Sequence, residues 1–250
     1  MSGHSKWATI KHKKAAIDKA RGKLFAKVLR QVEVAAREGG GDPEMNPTLR
    51  TMFQKARDAS IPIDTIERAV KRGTGDLDGV TYEQITYEGY APGGVAVMVE
   101  VLTDNRNRTG AEVRNIFSKN GGSTAEPGAV AWQFDRKGQV IVARSVDEEE
   151  LMLTALDAGA DDIVDDGDSW RVVTPPGDLH AVRTALEGAG VAIESSDLTM
   201  VPQSTIALDT AESAKKVLRL IDALDDQDDV QAVHANFDIP DTILESVEAG

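Results

Sequence analysis

The feature that most constrains this chain is a break in charge near residue 73. Residues 1–73 hold 16 Lys/Arg against 8 Asp/Glu, a net of +8, whereas residues 74–250 hold 12 against 34, a net of −22. The break falls in the Gly-rich acidic stretch Arg72-Gly73-Thr74-Gly75-Asp76-Leu77-Asp78-Gly79, whose composition marks a linker. A basic module followed by an acidic body is the expected organisation. The asymmetry is steepest at the start. Nine cations (Lys6, Lys11, Lys13, Lys14, Lys19, Arg21, Lys23, Lys27 and Arg30) precede residue 31, against one acid, Asp18. Too few acids are present there for i,i+4 ion pairs to neutralise them. A local cationic arm on an acidic scaffold is the electrostatic footprint of a phosphate-binding surface.

The basic module reads as three short helices. From about Ala15 to Glu38, Phe25, Val28, Leu29, Val32 and Ala36 recur at three- to four-residue steps and form one apolar stripe. Lys19, Lys23, Lys27, Arg30 and Arg37 fall within about 80° of one another on the opposite side, a cationic ridge. Gly39-Gly40-Gly41 stops this helix, and Asn46-Pro47 starts the next, with Leu49, Met52, Phe53 and Ala56 as its apolar face. A third helix runs from about Ile63 to Arg72, with Asp64 and Glu67 spaced as a capping box and Gly73 closing it.

Beyond the break the period changes. Tyr82–Tyr90 and Gly94–Leu102 read as paired strands around the turn Ala91-Pro92-Gly93-Gly94, Thr109–Asn120 as a helix and Ala129–Phe134 as a strand. Residues 139–200 then follow the order β-α-β-β-α-β of a ferredoxin-like unit. A last β-α-β (Thr205–Asp209, Ala211–Leu224, Val230–Phe237) has no partner strands nearby and is expected to return to the sheet of residues 80–134. The expected fold is therefore α+β: a helical domain over 1–79, an α/β domain over 80–134 plus 203–240, and a second one, 135–202, inserted in it. Both α/β domains are expected to be ferredoxin-like.

Three motifs carry a resemblance. Gly3-His4-Ser5-Lys6-Trp7-Ala8-Thr9-Ile10-Lys11-His12-Lys13-Lys14, running on to Lys23, resembles the N-terminus of the YebC/PmpR family. Tyr87-Glu88-Gly89-Tyr90-Ala91-Pro92-Gly93-Gly94-Val95-Ala96 and Thr103-Asp104-Asn105-Arg106-Asn107-Arg108-Thr109 resemble its central signatures, with Ala91 where the family often has Gly. The resemblance implies a three-domain α/β protein with a helical first domain and a cleft-bearing body. It also implies either of two activities: DNA-bound transcriptional regulation, or action on translation, as for the mitochondrial translational activator of cytochrome c oxidase and for relatives linked to ribosomes stalled at proline-rich stretches.

The residues expected to meet nucleic acid are Lys6, Lys11, His12, Lys13, Lys14, Lys19, Arg21, Lys23, Lys27 and Arg30, with Arg106 and Arg108 as a second contact. Trp7 and His12 interleave with the lysines and can stack on bases. Residues 104–109 also fit a plain helix cap, and Tyr87–Gly94 a plain β-turn. The aspartates at 161, 162, 165, 166 and 168, and those at 225, 226, 228 and 229, lack EF-hand spacing and read as solvated ends rather than metal sites. No cofactor is expected. Cysteine is absent, the four histidines are scattered, and no nucleophile elbow, phosphate loop or dinucleotide fingerprint occurs, so no enzyme is expected. No apolar run approaches a membrane span and no signal-peptide core opens the chain, which points to a cytosolic protein. DNA is the first target assigned, with ribosomal RNA as its rival. The rival gains from the region before residue 74, which shows no clear helix-turn-helix with a short turn, since Gly39 to Asn46 is too long a connection. The acidic domains would restrict orientation or dock a protein partner, and a small-ligand sensor is a third reading by fold analogy alone.

Overall fold

The computed structural model describes residues 18–248. The helices are α1 (Asp18–Gly39), α2 (Pro47–Asp58), α3 (Ile63–Thr74), α4 (Arg106–Lys119), α5 (Glu148–Asp157), α6 (Leu179–Gly188), α7 (Ala211–Asp225) and α8 (Asp241–Glu248). The strands are β1 (Glu83–Tyr90), β2 (Ala96–Thr103), β3 (Ser123–Ala125), β4 (Phe134–Ala143), β5 (Asp162–Asp165), β6 (Ser169–Thr174), β7 (Ile193–Pro202), β8 (Ile206–Ala207), β9 (Val230–Ala235) and β10 (Phe237–Asp238). Helices come first and two four-stranded sheets with their helices follow, so the chain is α+β. The described residues group into two compact units: Val28–Gly79 with Arg136–Met200, and 18–27 with Val80–Asp135 and the chain from Val201 onward.

In the first unit the helical core is built from the expected stripe, with Val28, Val32, Ala35, Ala36, Leu49, Ala56, Ile66 and Ala69 buried. Asn46 performs the capping its position promised. Its Oδ1 accepts from the Leu49 amide at 3.0 Å, and its Nδ2 donates to the carbonyls of Ala35 and Gly40, each at 2.8 Å. The end of α1 is thereby tied to the start of α2. Two expectations fail at α3. Asp64 and Glu67 form no capping box, because the helix opens at Pro62, which has no side-chain cap. Gly73 does not close it either. A Cβ there would lie 2.3 Å from the Glu33 carbonyl, so Gly73 is the point of closest approach between α1 and α3, and the left-handed Gly75 ends the helix.

The sheet of this unit has the order β5-β6-β4-β7, the ferredoxin-like arrangement, and α5 and α6 cover it through Val140, Val142, Leu151, Ala155, Trp170, Val172, Val182 and Leu186. The acidic hairpin between β5 and β6 is not simply solvated as expected. Asp166 is buried and takes a two-point contact from Arg171, Nε at 2.8 Å and Nη2 at 3.2 Å. Arg183 on α6 is also buried and donates from both terminal nitrogens to the Asp58 carboxylate of α2, at 2.7 and 3.0 Å.

In the second unit the order is β3-β1-β2-β9. β1 and β2 form an antiparallel hairpin in the register Glu83↔Thr103 to Tyr90↔Ala96. β9 pairs with β2, so strands from both sides of the intervening residues 134–202 share one sheet. β8 does not join it, against expectation, but pairs with β10 in a separate parallel ladder. Val97, Val99 and Val101 face Val113 and Phe117 of α4 and Val217, Leu220, Ile221 and Leu224 of α7. The strand expected at Ala129–Phe134 is instead a loop and a short 3-10 turn, Ala131–Gln133, and the strand begins at Phe134. Backbone N–H groups in this loop are consumed by a side chain, Glu88, and so are not offered to a ladder.

Candidate nucleic-acid interface

The basic region enters the described structure at α1. Lys6, Lys11, His12, Lys13 and Lys14 lie outside the described residues, and of Lys19 and Arg21 only the helical backbone is described. Lys23 and Lys27 project onto the C-terminal end of α7. Lys23 Nζ donates to the Asp226 carbonyl at 2.9 Å and Lys27 Nζ to the Asp225 carbonyl at 2.5 Å. The Asp226 and Asp228 carboxylates lie 3.8 Å from Lys23, and that of Asp225 lies 3.7 Å from Lys27. The last carbonyls of a helix have no intrahelical partner and carry its negative end, so an ammonium group is favoured there. The ridge expected to stand open is thus partly seated on acids. Lys27 is buried and Arg30 half-buried, while Asp226 and Asp228 stay exposed as expected of a solvated helix end and pair with Lys23 from there.

The second expected contact converges on the same turn. Asn105 caps α4 by accepting the Arg108 amide at 3.1 Å, which starts the helix three residues earlier than its apolar pattern suggests. Arg108 Nη2 donates to Asp229 Oδ2 at 2.7 Å and to Asp104 Oδ1 at 3.0 Å. Asp229, expected to be exposed, is buried and also accepts from the hydroxyls of Thr109 at 2.7 Å and Thr103 at 3.2 Å. Burial pushes the Asp229 carboxyl up, but the Thr109 and Arg108 hydrogen bonds, the guanidinium charge and Thr103 outweigh it, and its pKa lies below the ordinary value. Arg106, by contrast, is exposed and its guanidinium has no partner among the described residues. The structure therefore gathers Lys23, Lys27 and Arg108 around the single turn 225–229 and leaves Arg106 outward. Replacing Asp229 with Ala removes the acceptor shared by Arg108, Thr103 and Thr109, leaving Arg108 on Asp104 alone and the two hydroxyls on each other and the Asn105 carbonyl. It is expected to lower stability by about 2–3 kcal/mol, read as a shift in the urea midpoint at unchanged slope.

A residue the sequence reading passed over organises the other signature. Glu88, on β1 within Tyr87–Gly94, is buried. Its Oε1 accepts from the Gly128 amide at 2.6 Å, and its Oε2 from the amides of Val130 and Ala131 at 2.6 and 2.9 Å. Burial raises its pKa, but the three backbone hydrogen bonds win and hold it below the ordinary value. The loop so held begins with a Glu126-Pro127-Gly128-Ala129 turn, closed by the Ala129 amide on the Glu126 carbonyl at 3.1 Å. Pro at its second position and Gly128 at φ +89° in its third are the residues a type II turn requires. Residues 91–94 form a plain hairpin turn, with Gly93 and Gly94 at φ +84° and +80° and Ala91 buried in the core. Pro127-Gly128 was the available sequence signal for the loop; nothing local in the sequence assigns Glu88 to it.

Among the described residues no cluster of His, Asp and Glu could hold a metal ion, and no helix is long and apolar enough to cross a membrane. An N-terminal helical region followed by two α/β sheets, with the second sheet's strands lying between those of the first in sequence, defines the class. Residues 5–76 match the family model of the TACO1/YebC protein N-terminal domain, and residues 82–237 that of the TACO1/YebC second and third domain. The chain belongs to the TACO1/YebC family. It is 56% identical over 250 residues to a protein of Halothermothrix orenii and 59% identical over 249 residues to one of Rubrobacter xylanophilus, covering 99% of both chains in each case. Both relatives are named "probable transcriptional regulatory protein". The crystal structure of a conserved hypothetical protein from Aquifex aeolicus is similar at a TM-score of 0.83 and 47% identity, over 91% of this chain and 94% of that one.

Proposed function

We propose that this protein is a non-catalytic regulator of gene expression that binds nucleic acid through its basic N-terminal region, with DNA as the first target. The observation that carries the reading is the segregation of charge, +8 over residues 1–73 against −22 over the remainder. Each phosphate neutralised by a lysine releases condensed counterions, and the acidic body confines phosphate contact to the arm and whatever basic surface adjoins it. Lys11, Lys13 and Lys14 would neutralise phosphates, and Arg106 would add a contact from the second unit. The relatives' name, transcriptional regulatory protein, agrees with this reading.

A second reading, structured ribosomal RNA, is favoured by a specific observation. The connection between α1 and α2 is as long as Gly39–Asn46 suggested, whereas that between α2 and α3, Ala59–Pro62, is short enough for a helix-turn-helix. In such a motif the early residues of the second helix meet base edges. Here the exposed residues early in α3 include Asp64 and Glu67, whose carboxylates repel phosphate. A basic arm threading irregular RNA needs no such helix.

The deciding experiment is crosslinking in growing cells with sequencing of the attached nucleic acid, using a protein without residues 1–14 as control. Discrete promoter peaks lost in the control establish the first reading, and reads on ribosomal RNA the second. Reads unchanged by the truncation overturn both. In vitro, replacing Lys11, Lys13 and Lys14 with Ala is expected to weaken binding to every sequence alike and to flatten the plot of log affinity against log salt by about 3.

A further inference from the structure

Trp132 stands apart from the other aromatic side chains described in the molecule. Aromatics make up only 4% of the chain, and Trp170 is buried, yet Trp132 is 68% exposed. The loop beneath it is not loose. Glu88 takes the amides of Gly128, Val130 and Ala131, and Tyr90 Oη donates to the Ala129 carbonyl at 3.4 Å. After the 3-10 turn, the Gln133 carbonyl accepts the Gln203 amide at 2.8 Å. The indole itself donates Nε1–H to the Ala129 carbonyl at 3.1 Å. The one polar atom of the ring is thus satisfied from within the loop, and what remains for a partner is π surface.

From this geometry we infer that Trp132 is a fixed stacking platform for an unpaired nucleobase, so that the nucleic acid bound includes single-stranded or looped-out nucleotides. The inference rests on the nucleic-acid reading above and narrows its substrate. Two observations favour a base over an apolar pocket of another protein. A protein–protein anchor works when a ring of neighbouring contacts excludes water around it. Among the described residues of this unit, the only other exposed large apolar side chain is Val80. Asp135 and Arg136, nearby in sequence, are polar and exposed. A base needs no apolar rim, because stacking uses one π face and leaves its edges and phosphate in water. The clamp by Glu88 also means that little side-chain and loop freedom is lost on binding, which is what preorganisation contributes.

The test uses the full-length protein, a short single-stranded uridine-rich RNA carrying one 2-aminopurine, the same strand paired with its complement, and the deoxyribose form of the single strand. Affinity is read by anisotropy of an end label and stacking by quenching of 2-aminopurine fluorescence. Trp132→Ala is expected to weaken single-strand binding by about five- to a hundredfold and to abolish the quenching, with duplex affinity unchanged. Trp132→Phe is expected to retain most of both. The ribose and deoxyribose strands separate an RNA source of the base from a DNA source. Equal single-strand affinity for wild type and Trp132→Ala, without quenching, would overturn the inference and leave the nucleic-acid reading standing. Wild-type binding to neither strand nor duplex would overturn that reading and the inference with it. Circular dichroism of Trp132→Ala, expected to match the wild type in melting temperature, separates loss of the ring from loss of the fold.

Discussion

Replacing Arg183 with Ala is expected to lower the stability of the protein by about 3–5 kcal/mol, the largest loss for any single change considered. Arg183 is 7% exposed, and its partner Asp58 has a side chain only 14% exposed. Removing the guanidinium strands the Asp58 carboxylate in a site built for its ion pair, and takes with it the contacts to Ser196 Oγ and, at 2.9 Å, to Glu187. Burial works against the charge on Arg183, yet the hydrogen bonds and charges of Asp58 and Glu187 prevail and raise its pKa. Differential scanning calorimetry should show a fall in Tm on the order of 10 °C. Lys in its place is expected to recover only part, because an ammonium cannot present two parallel N–H groups to one carboxylate and a third to Glu187. The double variant Asp58→Ala, Arg183→Ala should lose less than the sum of the two single changes, since neither charge is then buried alone. A loss under about 1 kcal/mol for Arg183→Ala would mean that the pair behaves like an exposed one.

The second large effect is expected at Glu88. Glu88→Gln keeps the shape, but its two oxygens receive three N–H groups. An amide nitrogen in place of either oxygen faces at least one backbone donor with another donor. The expected cost is about 2 kcal/mol for Gln and about 3 kcal/mol for Ala, which leaves all three donors without an acceptor. The pH dependence follows from the depressed pKa. Glu88 binds its proton less readily folded than unfolded, so its contribution is fully present above its ordinary value of 4.5 and is lost as pH falls through the lower folded value. Asp229 acts in the same direction, below its ordinary 3.8. Urea midpoints of wild type and Glu88→Gln should therefore converge as pH falls below 4.5 and stay apart between pH 5 and 8. A constant gap down to pH 3 would show that the carboxylate's charge is not what holds the loop.

Parts of this could be read from residues alone because their causes are local. Asn46-Pro47 announced a cap and a first turn, and the spacing of Val28, Val32 and Ala36 announced a buried stripe, since each depends only on neighbours within a helical turn. The β-α-β-β-α-β order of residues 139–200 was legible for the same reason, through alternation and turn residues. What failed was set by contacts distant in sequence. Gly73 looked like a helix stop but is the place where α1 comes nearest. Ala129–Phe134 looked like a strand because its residue types suit one, and lost that role to a carboxylate some forty residues earlier.

The candidate interface divides in the same way. The sequence by itself determined the cationic arm, its sign and its place, because net charge is a property of composition and no fold can remove it. Only the tertiary structure decided which cations already meet acids. Lys23, Lys27 and Arg108 find carboxylates or helix-end carbonyls at the turn 225–229, while Arg106 and Trp132 face outward. An ion pair or a clamped loop depends on distances of a few ångströms between residues far apart along the chain, and those distances come into being only when the sheet closes.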